Sequence, residues 1–282
     1  MQVITTFPIL RDAVSKAKST NKTIGFVPTM GALHQGHASL IKYALKECDI
    51  VVVSIFVNPT QFNNAKDLEK YPRTLDKDVA FLKNISANII TYAPNANEVY
   101  GDTISSKSYN FGSLETVMEG AHRPGHFDGV GTVLNKLFRQ VEPHKAYFGE
   151  KDFQQLAIVK KLVQKEYLPV EVIGCPIHRQ EDGLAMSSRN ARLTQKQLEI
   201  APFIYKTLLE SKEKFKTLSA TQLKKYVNSQ FDQIKELDLE YFEIVNEKNL
   251  QPLSRKRTKQ KYRAFLAVYA GEVRLIDNIA LN

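Results

Sequence analysis

The run Asp49-Ile50-Val51-Val52-Val53-Ser54-Ile55-Phe56-Val57 constrains this chain more than any other stretch. Its β-branched side chains are stiff and favour extended backbone. Because apolar residues do not alternate with polar ones, neither face can be given to water, so the run reads as a parallel strand buried on both sides. A parallel strand needs crossover helices, and the flanking sequence supplies them. Thr23-Ile24-Gly25-Phe26-Val27 reads as a preceding strand, Leu75 to Ile85 as a helix, and Ala87 to Pro94 as the next strand. Val130 to Val141 then reads as a helix, Lys145-Ala146-Tyr147-Phe148 as a short strand, Phe153 to Glu166 as a helix and Val170 to Gly174 as the last strand. The class predicted is α/β, a Rossmann-like parallel sheet whose ligands lie outside the carboxyl ends of the strands.

Beyond residue 177 the pattern changes. Thr194 to Lys216 and Ala220 to Lys235 read as helices, with Thr194 and Ser219 as N-caps. Leu239 to Val245 and Tyr262 to Tyr269 read as strands, and Gly271-Glu272 as a hairpin turn into Val273 to Ile276. The expected organisation is therefore an N-terminal domain over 1–177 and a smaller α+β C-terminal domain over 178–282. A length of 282 residues suits two domains.

The unusual polar residues follow the strands. Pro28-Thr29-Met30-Gly31-Ala32-Leu33-His34-Gln35-Gly36-His37 leaves the first strand, and Ala38, Leu40, Ile41, Ala44 and Leu45 continue it at helical spacing. His37 then sits near a helix N-terminus, where amide donors and the helix dipole favour phosphate. Two surface histidines on an ordinary loop, or a metal site, would show the same H-x-x-H spacing. Asn58, Gln61 and Phe62 follow the second strand, and Gly149-Glu150-Lys151-Asp152 the short strand after the third helix. Asp182-Gly183-Leu184-Ala185-Met186-Ser187-Ser188-Arg189-Asn190 stands at the domain junction. Its hydroxyls and guanidinium can wrap phosphates, or the loop can simply cap the following helix.

Composition narrows the classes. Hydrophobic residues make up 43% and charged residues 24%, as in an ordinary globular protein. No run approaches the roughly 18 apolar residues of a membrane span, and the N-terminus lacks a secretory pattern, so a cytoplasmic protein without membrane partners is expected. Cys48 and Cys175 read as small buried side chains. The net charge of +9 includes Arg255, Lys256, Arg257, Lys259, Lys261 and Arg263, which read as a solvated loop rather than a nucleic-acid surface.

The pairing of H-x-G-H with a later M-S-S-R resembles the H-I-G-H and K-M-S-K-S pair of adenylate-forming nucleotidyltransferases. The full set resembles the pantothenate synthetase family: the segment from Pro28 to His37, S-I-F-V-N-P-T-Q-F from Ser54, Y-P-R from Tyr71, R-P-G-H-F-D-G-V from Arg123, G-E-K-D-F-Q-Q from Gly149, D-G-L-A-M-S-S-R-N from Asp182 and R-L-I-D-N from Arg274. These stretches run in order along almost the whole chain.

The resemblance implies ATP-dependent condensation of pantoate with β-alanine through a pantoyl adenylate, releasing pyrophosphate and then AMP. It implies ATP contacts at Met30, Gly31, Ala32, Leu33, His34, Gln35, Gly36 and His37, at Gly149, Glu150, Lys151 and Asp152, at His178, and at Met186, Ser187, Ser188 and Arg189. His37, His34 and Lys151 would be the catalytic side chains, His37 as proton donor. Gln61 and Gln155 would hold pantoate, Gln61 also meeting β-alanine, with Asn58 and Arg123 as further candidates for that pocket. Mg2+ would be held mainly through ATP phosphates rather than by protein ligands. Asp78 and Asp152 could reach such an ion only through water and neither is assigned as a ligand; Asp152 equally suits a helix cap, and Asp76 and Asp78 read as solvated first-turn residues. The resemblance further implies a homodimer, with the C-terminal domain closing over ATP. Two positions depart from the family pattern, Asn246 where an aspartate is expected and His178 where an apolar residue is usual.

Two other classes share parts of this pattern. A class I aminoacyl-tRNA synthetase fragment would carry both signature motifs, but its ATP turnover should respond to tRNA and an amino acid. A nucleic-acid-binding module would bind with steep salt dependence. It would leave both histidines and the two glutamines without a task.

Overall fold

A computed structural model describes residues 3–282. The chain forms two compact units. One comprises the described residues up to Phe111 together with Arg123–Glu150 and Gln155–Pro176; the other comprises Gly112–His122, Lys151–Gln154 and Ile177–Asn282. Two short segments from within the first 177 residues thus belong to the second unit.

The first unit is built on six strands: β1 (Val3–Ile4), β2 (Ile24–Thr29), β3 (Ile50–Ile55), β4 (Ile89–Tyr92), β5 (Lys145–Gly149) and β6 (Glu171–Cys175). They pair in the order β1-β4-β3-β2-β5-β6, and every pairing is parallel. The Rossmann-like sheet expected from the β-branched runs is present. Val51, Val52 and Val53 are all fully buried. Val51 and Val53 pack with Ile41, Ala44 and Leu82, and the period of two sends Val52 to the opposite face. Cys48 and Cys175 are both buried and free, and burial pushes the Cys175 thiol up to about 11. The chain order reverses between β2 and β5. The loops after β2, β3 and β5 are therefore neighbours at the carboxyl edge, on either side of the switch point where ligands of such sheets bind.

The second unit carries an antiparallel sheet of β7 (Asp238–Asn246), β8 (Tyr262–Ala270) and β9 (Val273–Ala280), in that order. Leu208, Leu223, Val227 and Phe231 from its helices pack with Phe242, Ile244, Leu266 and Val268. Thr194 and Ser219 cap their helices as expected, each in a capping box completed by Gln197 or Gln222. The single helix expected over Thr194 to Lys216 is two, Gln195–Ile200 and Phe203–Lys214. Pro202 interrupts it, because proline lacks the N–H for the helical bond and its ring crowds the preceding turn. Gly271 turns the β8–β9 hairpin at φ +60°, with Ala270 and Val273 paired across it. Of the basic run, residues 255, 256, 257, 259 and 261 are exposed, whereas Arg263 is not part of the solvated loop. It is buried on β8, where Asn278 and Glu247 accept its hydrogen bonds.

Candidate active site

The loop after β2 is held by a buried carboxylate, Asp78. Gly31 has φ +78° and Ala32 φ +49°, so the chain bends sharply there. The bend aims the Ala32 and Leu33 amides at Asp78, whose Oδ2 and Oδ1 accept them at 3.0 and 2.7 Å. Asp78 is 2% exposed, so it is neither a solvated first-turn carboxylate nor open to an ion through bulk water. The amides it binds carry its charge. A Cβ at position 31 would meet this carboxylate at 3.0 Å and Ile55 at 3.1 Å, in a backbone region that L side chains rarely adopt. Thr29 completes the loop, donating to the Ser54 carbonyl at 2.7 Å and accepting from the Gly31 amide at 3.1 Å.

His34 is the N-cap of the helix Gln35–Glu47 and His37 lies in its first turn. The His34 Nδ1 accepts from the Gly36 amide at 3.1 Å, and the His37 Nδ1 accepts from the His34 amide at 3.3 Å. Both Nδ1 atoms are acceptors, which assigns the neutral tautomer with hydrogen on Nε2 to each ring. The rings sit 4.1 Å apart between centroids. Two imidazole N–H donors are thereby set side by side at the positive end of a helix, a suitable arrangement for oxyanions.

A second group of residues gathers at the turn Pro59–Gln61 after β3. Tyr100 donates to Asn58 Oδ1 at 2.5 Å, which directs the Asn58 amide nitrogen to Gln61 Oε1 at 3.1 Å and to the Gly129 carbonyl at 3.2 Å. The Gln61 Nε2 consequently points to the Met30 sulfur, 2.8 Å away. Burial raises the Tyr100 phenol above its ordinary range despite bonds from Thr60 and Asn58 that act the other way, so it stays protonated and donating. Arg123 reaches the same turn, donating to the Gln61 carbonyl at 3.4 Å and meeting His126 Nε2 at 3.1 Å. With Arg123 as donor to Nε2, His126 Nδ1 carries the hydrogen and donates to the Gln61 carbonyl at 2.9 Å. Asn58, Gln61, Met30 and Arg123 are thus brought together, and His126 and Tyr100 join them. His126 lay inside the R-P-G-H stretch without a task; nothing local to Tyr100 marks it. Gly149 ends β5, Glu150 follows it, and Gln155 stands half-buried in the first turn of the helix Phe153–Lys165.

In the second unit, Lys151 and Ser187 line one small cavity with Asn190 and Asp277. The Lys151 ammonium lies 3.7 Å from Asp152, and its carbonyl accepts from Asn278 at 2.9 Å. Ser187 caps the short turn Ser188–Arg192, accepting from the Arg189 amide at 3.2 Å. Met186 donates its amide to the His178 carbonyl at 3.1 Å, so those two expected contacts are adjacent.

The family model described as pantoate-beta-alanine ligase matches residues 2–280. The chain belongs to the pantoate–β-alanine ligase family. Among similar proteins, a pantothenate synthetase from Christiangramia forsetii is 52% identical over the full length of both chains. One from Flavobacterium psychrophilum is 56% identical over 261 residues, covering 93% of each. The crystal structure of pantothenate synthetase from Thermus thermophilus superposes with a TM-score of 0.91 at 39% identity, covering 100% of this chain and 99% of that one. The Francisella tularensis ligase, solved in complex with "Beta-gamma ATP and Beta-alanine", gives 0.81 at 38% identity, covering 100% and 98%. Among the described residues no helix is long and apolar enough to cross a membrane.

Proposed function

We infer that this chain condenses pantoate with β-alanine at the expense of ATP, through an enzyme-bound pantoyl adenylate, releasing pyrophosphate and AMP. The family match over 2–280 carries the reading. The paired imidazoles beside the β2/β5 switch point support it. In the first step the pantoate carboxylate attacks the α-phosphorus and pyrophosphate leaves; in the second the β-alanine amine attacks the mixed anhydride and AMP leaves. Such chemistry rests on positioning and on stabilising charge as it moves.

His34 and His37 are assigned to the phosphates through their Nε2–H groups, with His37 donating a hydrogen bond to the leaving pyrophosphate as charge builds on it. Lys151, Ser187, Ser188 and Arg189 are assigned to the same charge, and Met30, His178 and Met186 to the nucleotide. Gln61, with its Oε1 engaged by Asn58, offers an amide N–H to pantoate and then to β-alanine. Gln155 is assigned to pantoate. Among the described residues no group of three or more His, Cys, Asp or Glu side chains could hold a metal ion. The side chains assigned to the phosphates, His34, His37, Lys151, Ser187, Ser188 and Arg189, are cationic or neutral, which fits Mg2+ carried on phosphate oxygens, where it would neutralise charge on the triphosphate. A homodimer in the cytoplasm is carried over from the family, and sedimentation at twice the chain mass would support the dimer.

Pyrophosphate–ATP exchange tests the reading. Exchange should require pantoate, and AMP release should further require β-alanine; exchange driven only by an amino acid would reject it. His37→Ala should lower exchange by roughly 10²–10³-fold, the cost of one oxyanion donor. Gln61→Ala should act mainly through weaker use of pantoate and β-alanine.

A further inference from the structure

The stretch Arg274-Leu-Ile-Asp-Asn has no part in the roles assigned above, yet it ends in two polar residues buried in a strand. Asp277 is 3% exposed and Asn278 1%. A carboxylate in such a position is costly unless it is paired. Arg179 pairs it with both arms of the guanidinium, at 2.6 and 2.9 Å. The same guanidinium donates to the Gly183 carbonyl at 3.1 Å and lies over the Tyr205 ring at 3.6 Å.

Arg179 belongs to the loop it holds. Its backbone bridges Ala185, the Gln180 amide donates to the Leu184 carbonyl, and Met186 donates to the His178 carbonyl. At the tip, Gly183 has φ +93°, and a Cβ there would lie 2.5 Å from the Tyr205 ring. The loop is therefore clamped between Tyr205 and the Arg179–Asp277 pair. Asn278 acts on a second element, donating to the Lys151 carbonyl at 2.9 Å while its Oδ1 accepts from Arg263 at 2.6 Å. Two adjacent residues of β9 thus hold the backbones that present His178, Ser187 and Lys151.

We propose that Asp277, acting through Arg179, is a positioning residue that keeps the loop from His178 to Arg189 in its nucleotide-accepting conformation, while Asn278 holds Lys151. The inference rests on the ATP roles assigned above.

The test uses the full chain and two variants. Arg179→Lys keeps the charge balance and loses the two-armed grip and the Gly183 contact. The double variant Arg179→Met with Asp277→Asn removes both charges, so no lone charge is buried. Titration with a non-hydrolysable ATP analogue should show weaker binding, about threefold or more for the first variant and about tenfold or more for the second. The KM for pantoate should stay within about twofold, since Gln61 and its partners lie in the other unit. Analogue binding as tight as wild type in the double variant, or a pantoate KM that rises by the same factor as the analogue constant, overturns the proposal. A wild type without pantoate-dependent exchange would instead overturn the functional reading, and this inference with it.

Discussion

At the scale of single residues, Asp78 shows how a carboxylate can serve a site without facing it. It sits in the first turn of the helix Leu75–Lys83, a position that favours acids through the helix dipole wherever the helix lies. Burial changes its meaning, because both oxygens are spent on the amides of Ala32 and Leu33. Those amides consequently fix the loop's shape. In Asp78→Asn one oxygen becomes an amide NH2 that opposes a backbone N–H, leaving a buried donor unpaired at a cost of about 1–3 kcal/mol. The denaturant midpoint should fall accordingly, and exchange should fall with it because His34 follows the bend directly. A stable variant with normal exchange would show that the bend holds itself.

At the scale of elements, the site depends on how closely the helix His126–Val141 approaches the turn Pro59–Gln61. Gly129 permits it, since a Cβ there would lie 2.2 Å from the Thr60 carbonyl oxygen and 2.7 Å from the Gln61 nitrogen. Gly129→Ala must push the turn and helix apart, at about 1–3 kcal/mol for overpacking. The shift should break the Asn58 bond to the Gly129 carbonyl and loosen Gln61. Steady-state kinetics should then show a raised KM for pantoate with that for ATP little changed. Helix limits, by contrast, follow neighbouring residues: Thr194 and Ser219 announce their capping boxes, and Pro202 announces the break that the periodicity of 194–216 hides.

At the scale of the molecule, the second unit is assembled from three stretches of chain, and its core polar contacts cross between them. Arg274 binds Glu119 through two bonds of 2.8 Å and Glu240 at 2.6 Å, and Tyr241 donates to Glu119 at 2.7 Å. Gln154 accepts from the Glu119 amide at 3.0 Å and donates to the carbonyls of Leu114 and Val117. A fragment of 177–282 lacks Glu119 and Gln154. Each hydrogen bond to a charged partner lost in this way costs about 1.5–3 kcal/mol. The fragment should therefore melt well below the second unit of the intact chain or fail to fold, as circular dichroism would read; an equally stable fragment would contradict this.

The α/β class, the parallel sheet, the caps and the stretches that name the family are written in windows of ten or so residues. Their causes, β-branching, the periods of 2 and 3.6, and the turn residues, act between near neighbours. The partners of Asp78, Gln61 and Arg274 are not. The Asp78 carboxylate meets an amide 46 residues away, His126 meets Gln61 across 65, and Arg274 meets Glu119 across 155. No local pattern encodes such a meeting. It arises when the buried faces of the elements close on one another and bring groups that chain distance keeps apart to within a hydrogen bond.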